Sequence, residues 1–173
     1  MTRFLIACLA GLAAVLPAPA EAHEPMTLER LIEIITAVDP DAQVAQTAVQ
    51  FTVQDIPVVV ITDPVADRMR AMVPIRSADG ILPEEMQRMM QANFDTALDA
   101  RYAIAKGRLW STYIHPLGPL DKDEFLAGIG QVVNLATTYG STYNSGLLSF
   151  GGGDSNDLNR QLIEDLLQKG EKI

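Results

Sequence analysis

VQFTVQDIPVVVITDPVADRMRAMVPIR, residues Val49–Arg76, decides the fold. Val49, Phe51 and Val53 alternate with Gln50, Thr52 and Gln54, the period of two of a strand with one buried face. Asp55-Ile56 reads as a turn. Pro57 to Thr62 is continuously apolar and β-branched, the pattern of a strand covered on both faces. Asp63-Pro64 opens a second turn. Arg68 to Arg76 alternates again, with Met69, Ala71, Val73 and Ile75 on one side and Arg70, Met72 and Arg76 on the other. Pro74 has no amide donor, so this strand should lie near an edge or bulge there.

Helices flank these strands. Leu28, Leu31, Ile32 and Ile35 fall at helical spacing, Thr27 suits the N-cap, and Asp39-Pro40 ends the pattern, predicting a helix over 28–38. After Asp79-Gly80, Pro83 fits a first helical turn with Glu84 and Glu85 at its positive end. Leu82, Met86, Met89, Met90, Phe94 and Ala97 then predict a buried stripe on a helix ending near Asp99. Ala100–Ala105 and Arg108–His115 read as a hairpin about Lys106-Gly107. Asp121 and Glu124 have capping-box spacing, Leu120 and Phe125 a staple, and the apolar face runs to Ala136 with Gly140 as the stop. A glycine-rich stretch, 141–153, precedes a final helix over about 157–168. The order α-β-β-β-α-β-β-α plus a C-terminal helix predicts an α+β fold, an antiparallel sheet of about five strands packed by helices on one face.

The amino terminus gives an address. Arg3, the apolar run Phe4–Leu16 and Ala20-Glu21-Ala22 follow the order of a secretory signal peptide over residues 1–22, too short in its apolar part to anchor the chain in a bilayer. The expected compartment is the periplasm, and no stable membrane insertion is expected. Removing Arg3 and Glu21 would leave the net charge at −9, which argues against nucleic acid and anionic lipid as partners. The single cysteine, Cys8, lies within the leader, so the rest of the chain offers no disulfide, thiolate nucleophile or cysteine metal site.

Leu82-Pro83-Glu84-Glu85 leading a helix to Gln91-Ala92-Asn93, then Ala105-Lys106-Gly107-Arg108-Leu109-Trp110, then Pro116-Leu117 and Leu120-Asp121 before a long helix, resembles the YbjN-like proteins. These are similar in fold to the type III secretion (CesT-like, Tir) chaperones. The resemblance covers roughly 26–140, within a domain over 23–140, and leaves 141–173 as an appended loop and helix. It implies a compact domain, often dimeric, that binds a protein or peptide and transforms no substrate. It brings no catalytic residue and no cofactor.

Few residues suggest chemistry of their own. No Gly-x-Ser-x-Gly elbow surrounds Ser141, Ser145 or Ser149, and Asp154, Asn156 and Asp157 lack the later glutamate of a calcium loop. Cleavage after Ala22 would expose His23 with a free α-amine, a copper ligand that His115 could complete, so a copper or small-molecule carrier is the alternative reading. An enzyme of unrecognised type is a further alternative, against which stands the lack of paired catalytic groups. The methionines mostly read as core filler, with Met72 the exception because it faces away from the apolar side of its strand. With a two-residue turn at Lys106-Gly107, Ile104 faces Leu109 and Ala103 faces Trp110. Ile104, Leu109 and Tyr113 then share one face; Arg101, Trp110, Thr112 and Ile114 share the other. That second face, with Met72, is the candidate partner surface and the candidate contact of a homodimer; the alternative is that the final helix covers it.

Overall fold

The computed structural model describes residues 24–95, 97–140 and 155–171. Residues 1–22, His23 and the glycine-rich stretch over 141–153 lie outside the described residues. The described elements run in the order α1 (Leu28–Val38), β1 (Gln43–Ala45), β2 (Ala48–Val53), β3 (Ile56–Asp63), β4 (Arg68–Ser77), α2 (Pro83–Asp95), β5 (Arg101–Ala105), β6 (Arg108–His115), α3 (Lys122–Thr137) and α4 (Ser155–Gly170). The strands form one antiparallel six-stranded sheet in the order β1-β2-β3-β4-β6-β5. This is the α+β architecture expected, with one more strand. β1 escaped notice because its three residues are all exposed and carry no burial pattern.

Local chemistry fixes the ends of the elements. Thr27 Oγ1 accepts from Arg30 N at 3.2 Å and starts α1. Asp121 Oδ1 accepts from Glu124 N at 2.6 Å and starts α3. Glu124 does not complete the box; its carboxylate turns to His115 Nε2, 3.1 Å away. Both hairpin residues at the β5–β6 turn have positive φ, Lys106 at 51° and Gly107 at 68°, the backbone of a type I′ turn.

The core lies on one side of the sheet. Val49, Phe51, Val58, Val60, Met69, Ala71, Val73, Leu109 and Tyr113 point into it from the strands, and Leu31, Ile34, Ile35, Phe125, Ile129, Val132 and Val133 meet them from α1 and α3. Each of the Val, Leu, Ile, Phe and Met side chains among them contributes about 1.5–3 kcal/mol by leaving water. Polar ties fix α3 to the strands: Ser111 Oγ donates to Val132 O at 2.5 Å, and Tyr102 Oη donates to Leu135 O at 2.9 Å. Gln131 Oε1 accepts from Asp99 N at 2.8 Å and Ala100 N at 3.1 Å, fixing the entry to β5. α4 joins the same layer. Leu162 and Leu166 are buried, and Lys122 Nζ donates to Gly170 O at 2.9 Å.

Four expectations need correction. β3 is not covered on both faces. Val58, Val60 and Thr62 are buried, but Ile61 is 41% exposed, because nothing described lies over the second face. The turn before it is Gln54-Asp55, both at positive φ, and Ile56 already belongs to the strand. The proposed stripe of α2 is largely outside the core. Met89 and Ala92 are buried on the helix and Ala97 after it, whereas Leu82, Met86, Met90 and Phe94 are 62%, 38%, 55% and 70% exposed. The helix also stops at Asp95, short of Asp99, where Leu98 adopts a positive φ of 52°. Of the two readings offered for Pro74 the bulge is the one realised: the β4–β6 register shifts between Pro74 and Arg76, and β4 is an interior strand.

Candidate functional site

The second face of the sheet can be written row by row from the register, because directly paired residues share a face. Ile61, Arg70 and Ile114 form one row across β3, β4 and β6. Val59, Met72, Thr112 and Arg101 form the next, and Pro57, Thr52, Pro74, Trp110 and Ala103 lie beyond it. Met72, Arg101, Trp110, Thr112 and Ile114, singled out from the sequence, therefore do stand together on one face. Met72 is paired with Thr112, which is paired with Arg101. α4 does not cover them. It packs on α3, where Ile163 lies over Gly130 and Leu126 over Gly170.

The side chains on this face differ in what holds them. Trp110 Nε1 donates to Ala105 O at 3.1 Å, which fixes the indole across the β5–β6 hairpin and leaves its ring partly exposed. Thr112 Oγ1 donates to Arg101 O at 3.4 Å. Arg101 donates to Ala100 O at 2.6 Å and to Leu98 O, so its guanidinium is turned toward the loop before β5. Ile114 is 53% exposed. With Ile61, Asp63, Arg68 and Arg70 it lines a shallow hollow of about 430 Å³. Val59 and Ile61 were not among the candidates, because β3 read as a strand buried on both sides; Arg70 was not among them either, although it reads on the same side of its strand as Met72. The signal for β3 was present in its pairing with β4, whose outward side carries Arg70 and Met72.

A second apolar surface lies at the other end of the sheet. Met86, Met89 and Met90 of α2 face Tyr102, Ala103, Ile104 and Leu109 around a groove of about 210 Å³. Ile104 is paired with Leu109 as expected, but it is 48% exposed. Asn93 secures α2 to the outer edge of β5: its Oδ1 accepts from Tyr102 N at 2.7 Å and its Nδ2 donates to Tyr102 O at 3.3 Å. The side-chain amide thus satisfies the peptide groups that a further strand would need, blunting the edge.

His115 is placed away from the open face. Its Nδ1 lies 2.8 Å from Pro116 O and its Nε2 3.1 Å from Glu124 Oε1, and its ring stacks on Tyr113 at 5.9 Å. Both ring nitrogens thus face oxygen atoms of the protein itself. His23, the other half of the copper idea, lies outside the described residues. Among the described residues no group of three or more His, Cys, Asp or Glu side chains is placed to hold a metal ion. Two groups are electrostatically perturbed. Hydrogen bonding from Thr52 N lowers the Asp39 carboxyl despite some desolvation, and Asp41 N, the Thr52 hydroxyl and Lys169 add to it. Burial raises Tyr113 above the ordinary phenol range, and the carboxylates of Glu124, Asp99 and Asp121 add to it. Both serve the fold, and neither lies on the open face. No described helix is long and apolar enough to cross a membrane.

No protein-family model matches the chain, and no curated protein matches it in sequence. Among solved structures, the fold is similar to a chain of the crystal structure of the ExsC–ExsE complex. The TM-score is 0.51 at 9% identity, over 63% of this chain and 90% of that one. At that identity the likeness is one of fold. It agrees with the α+β architecture expected from the sequence.

Proposed function

We propose that this chain is a non-enzymatic, chaperone-like domain that binds protein or peptide through the open face of its sheet. It acts in the periplasm after loss of residues 1–22, and it belongs with the YbjN-like proteins. The observation that carries this reading is the uncovered face itself. The helices pack on the opposite side, while Ile61, Met72, Trp110 and Ile114 remain on a surface with no described element over it. Apolar side chains gathered on one rigid face favour contact with another molecule. The fold likeness to a chain from a two-protein complex is consistent with this.

The test is polypeptide capture by purified chain, compared with Trp110→Ala and Ile114→Ala. The reading expects weaker capture by both variants with unchanged circular dichroism. Equal capture by all three proteins would refute it. Light scattering separates the homodimer through the same face from a heterologous contact, since the dimer requires a mass that falls on Trp110→Ala. For the export proposal, the mass of the chain recovered from the periplasm should correspond to a start at His23.

A further inference from the structure

The chain carries a net charge of −9, yet its open face has the opposite sign. Arg68, Arg70, Arg101 and Arg108 stand on it by register, and Asp63 is the acidic residue paired into it. Among the described residues, none of these four arginines forms an ion pair. Arg68 and Arg101 spend donors on main-chain carbonyls, Asp67 O at 2.7 Å and Ala100 O at 2.6 Å. Arg70 has no such bond among the described residues, and it sits between the exposed Ile61 and Ile114 in the shallow hollow.

A guanidinium between two apolar side chains presents a fork of donors that fits a carboxylate, and the apolar flanks reduce the local screening that weakens an exposed pair. The flanking isoleucines and Trp110 in turn call for apolar side chains beside that carboxylate. A second copy placed on this face would bring four more arginines to it against one more Asp63, a contact between surfaces of like net charge. A phosphate backbone would meet the arginines but leave the isoleucines uncovered.

We propose that the open face takes an acidic, leucine- or aromatic-bearing polypeptide segment, with a carboxylate held by Arg70 between Ile61 and Ile114. This rests on the peptide-binding reading above and names the partner's chemistry. The probes are three synthetic peptides of about eight to ten residues, enough to cross six strands at ~4.8 Å each. They carry the same leucines, with glutamates, serines or lysines between them. Trp110, the single tryptophan of the chain, reports binding by its emission.

At low salt the glutamate peptide is expected to bind about tenfold more tightly than the serine peptide, and the lysine peptide most weakly. Added salt should erase most of the preference, as should Arg70→Glu or the milder Arg70→Gln. Ile61→Ala and Ile114→Ala should weaken the glutamate and serine peptides alike. Equal affinity for glutamate and serine peptides would overturn the acidic preference while leaving the sheet face as the binding surface. No change at Trp110 with any peptide, together with no effect of the isoleucine variants, would overturn both readings. Displacement of the glutamate peptide by an equal concentration of oligothymidylate would overturn the polypeptide class of the partner.

Discussion

Gly128 of α3 lies directly on the ring of Tyr113 in β6: a Cβ added at Gly128 would meet Tyr113 Cδ1 and Cε1 at 2.5 Å. That approach brings α3 down onto the sheet and places Ser111 and Tyr102 within reach of its carbonyls. A helix interior ordinarily gains about 1 kcal/mol when glycine becomes alanine. Here the ring cannot yield without disturbing the core, so Gly128→Ala should destabilise the chain by about 1–3 kcal/mol. Urea unfolding followed by circular dichroism checks the sign.

Asp39 ties the end of α1 to β2, accepting from Thr52 N at 2.7 Å and Thr52 Oγ1 at 2.9 Å. These bonds favour the carboxylate, so its folded-state pKa lies below the unfolded value of 3.8. A depressed carboxyl contributes stability above the unfolded pKa and loses it as pH falls through the folded one. Asp39→Ala should therefore cost about 1 kcal/mol at neutral pH, the net worth of an intramolecular hydrogen bond. The gap to the unaltered chain should narrow on acidification below about pH 4. Denaturant midpoints at several pH values measure this.

Met89 and Met90 are neighbours in sequence but opposite in environment, 1% and 55% exposed. Met89→Ala should cost about 2–5 kcal/mol through the cavity it leaves. Met90→Ala should change stability by no more than about 0.5 kcal/mol. The apolar stripe inferred from helical spacing alone would make the two variants equally damaging, so a thermal melt of each decides between the pattern and the packing.

Much of this fold was legible because local chemistry wrote it. Alternation along Val49–Val53 and Met69–Val73, the caps Thr27 and Asp121, and the Lys106-Gly107 turn each act over a few residues, and each is realised. The hairpin register followed from the turn, and with it the shared face of Arg101, Trp110, Thr112 and Ile114. What could not be read is what covers what. Apolar residues at Ile61, Met86 and Met90 satisfy the same spacing rules as buried ones, and only the layer above them decides their exposure. Gln131 was equally silent, because its value lies in two main-chain amides thirty-odd residues earlier, Asp99 N and Ala100 N. The bulge at Pro74 was legible, but the interior position of β4 was not, since β6 pairs with it only after α2 and β5 intervene.

The central claim is that the face bearing Ile114 is open in the isolated chain and covered when a polypeptide binds. Thiol labelling of Ile114→Cys in a Cys8→Ser background tests it most directly, because no other cysteine is present. The new thiol should react at nearly the rate of an unstructured thiol in the isolated chain, and about tenfold more slowly when saturated with the leucine–glutamate peptide. A slow thiol in the isolated chain, or an undiminished rate with the peptide bound, would contradict the account.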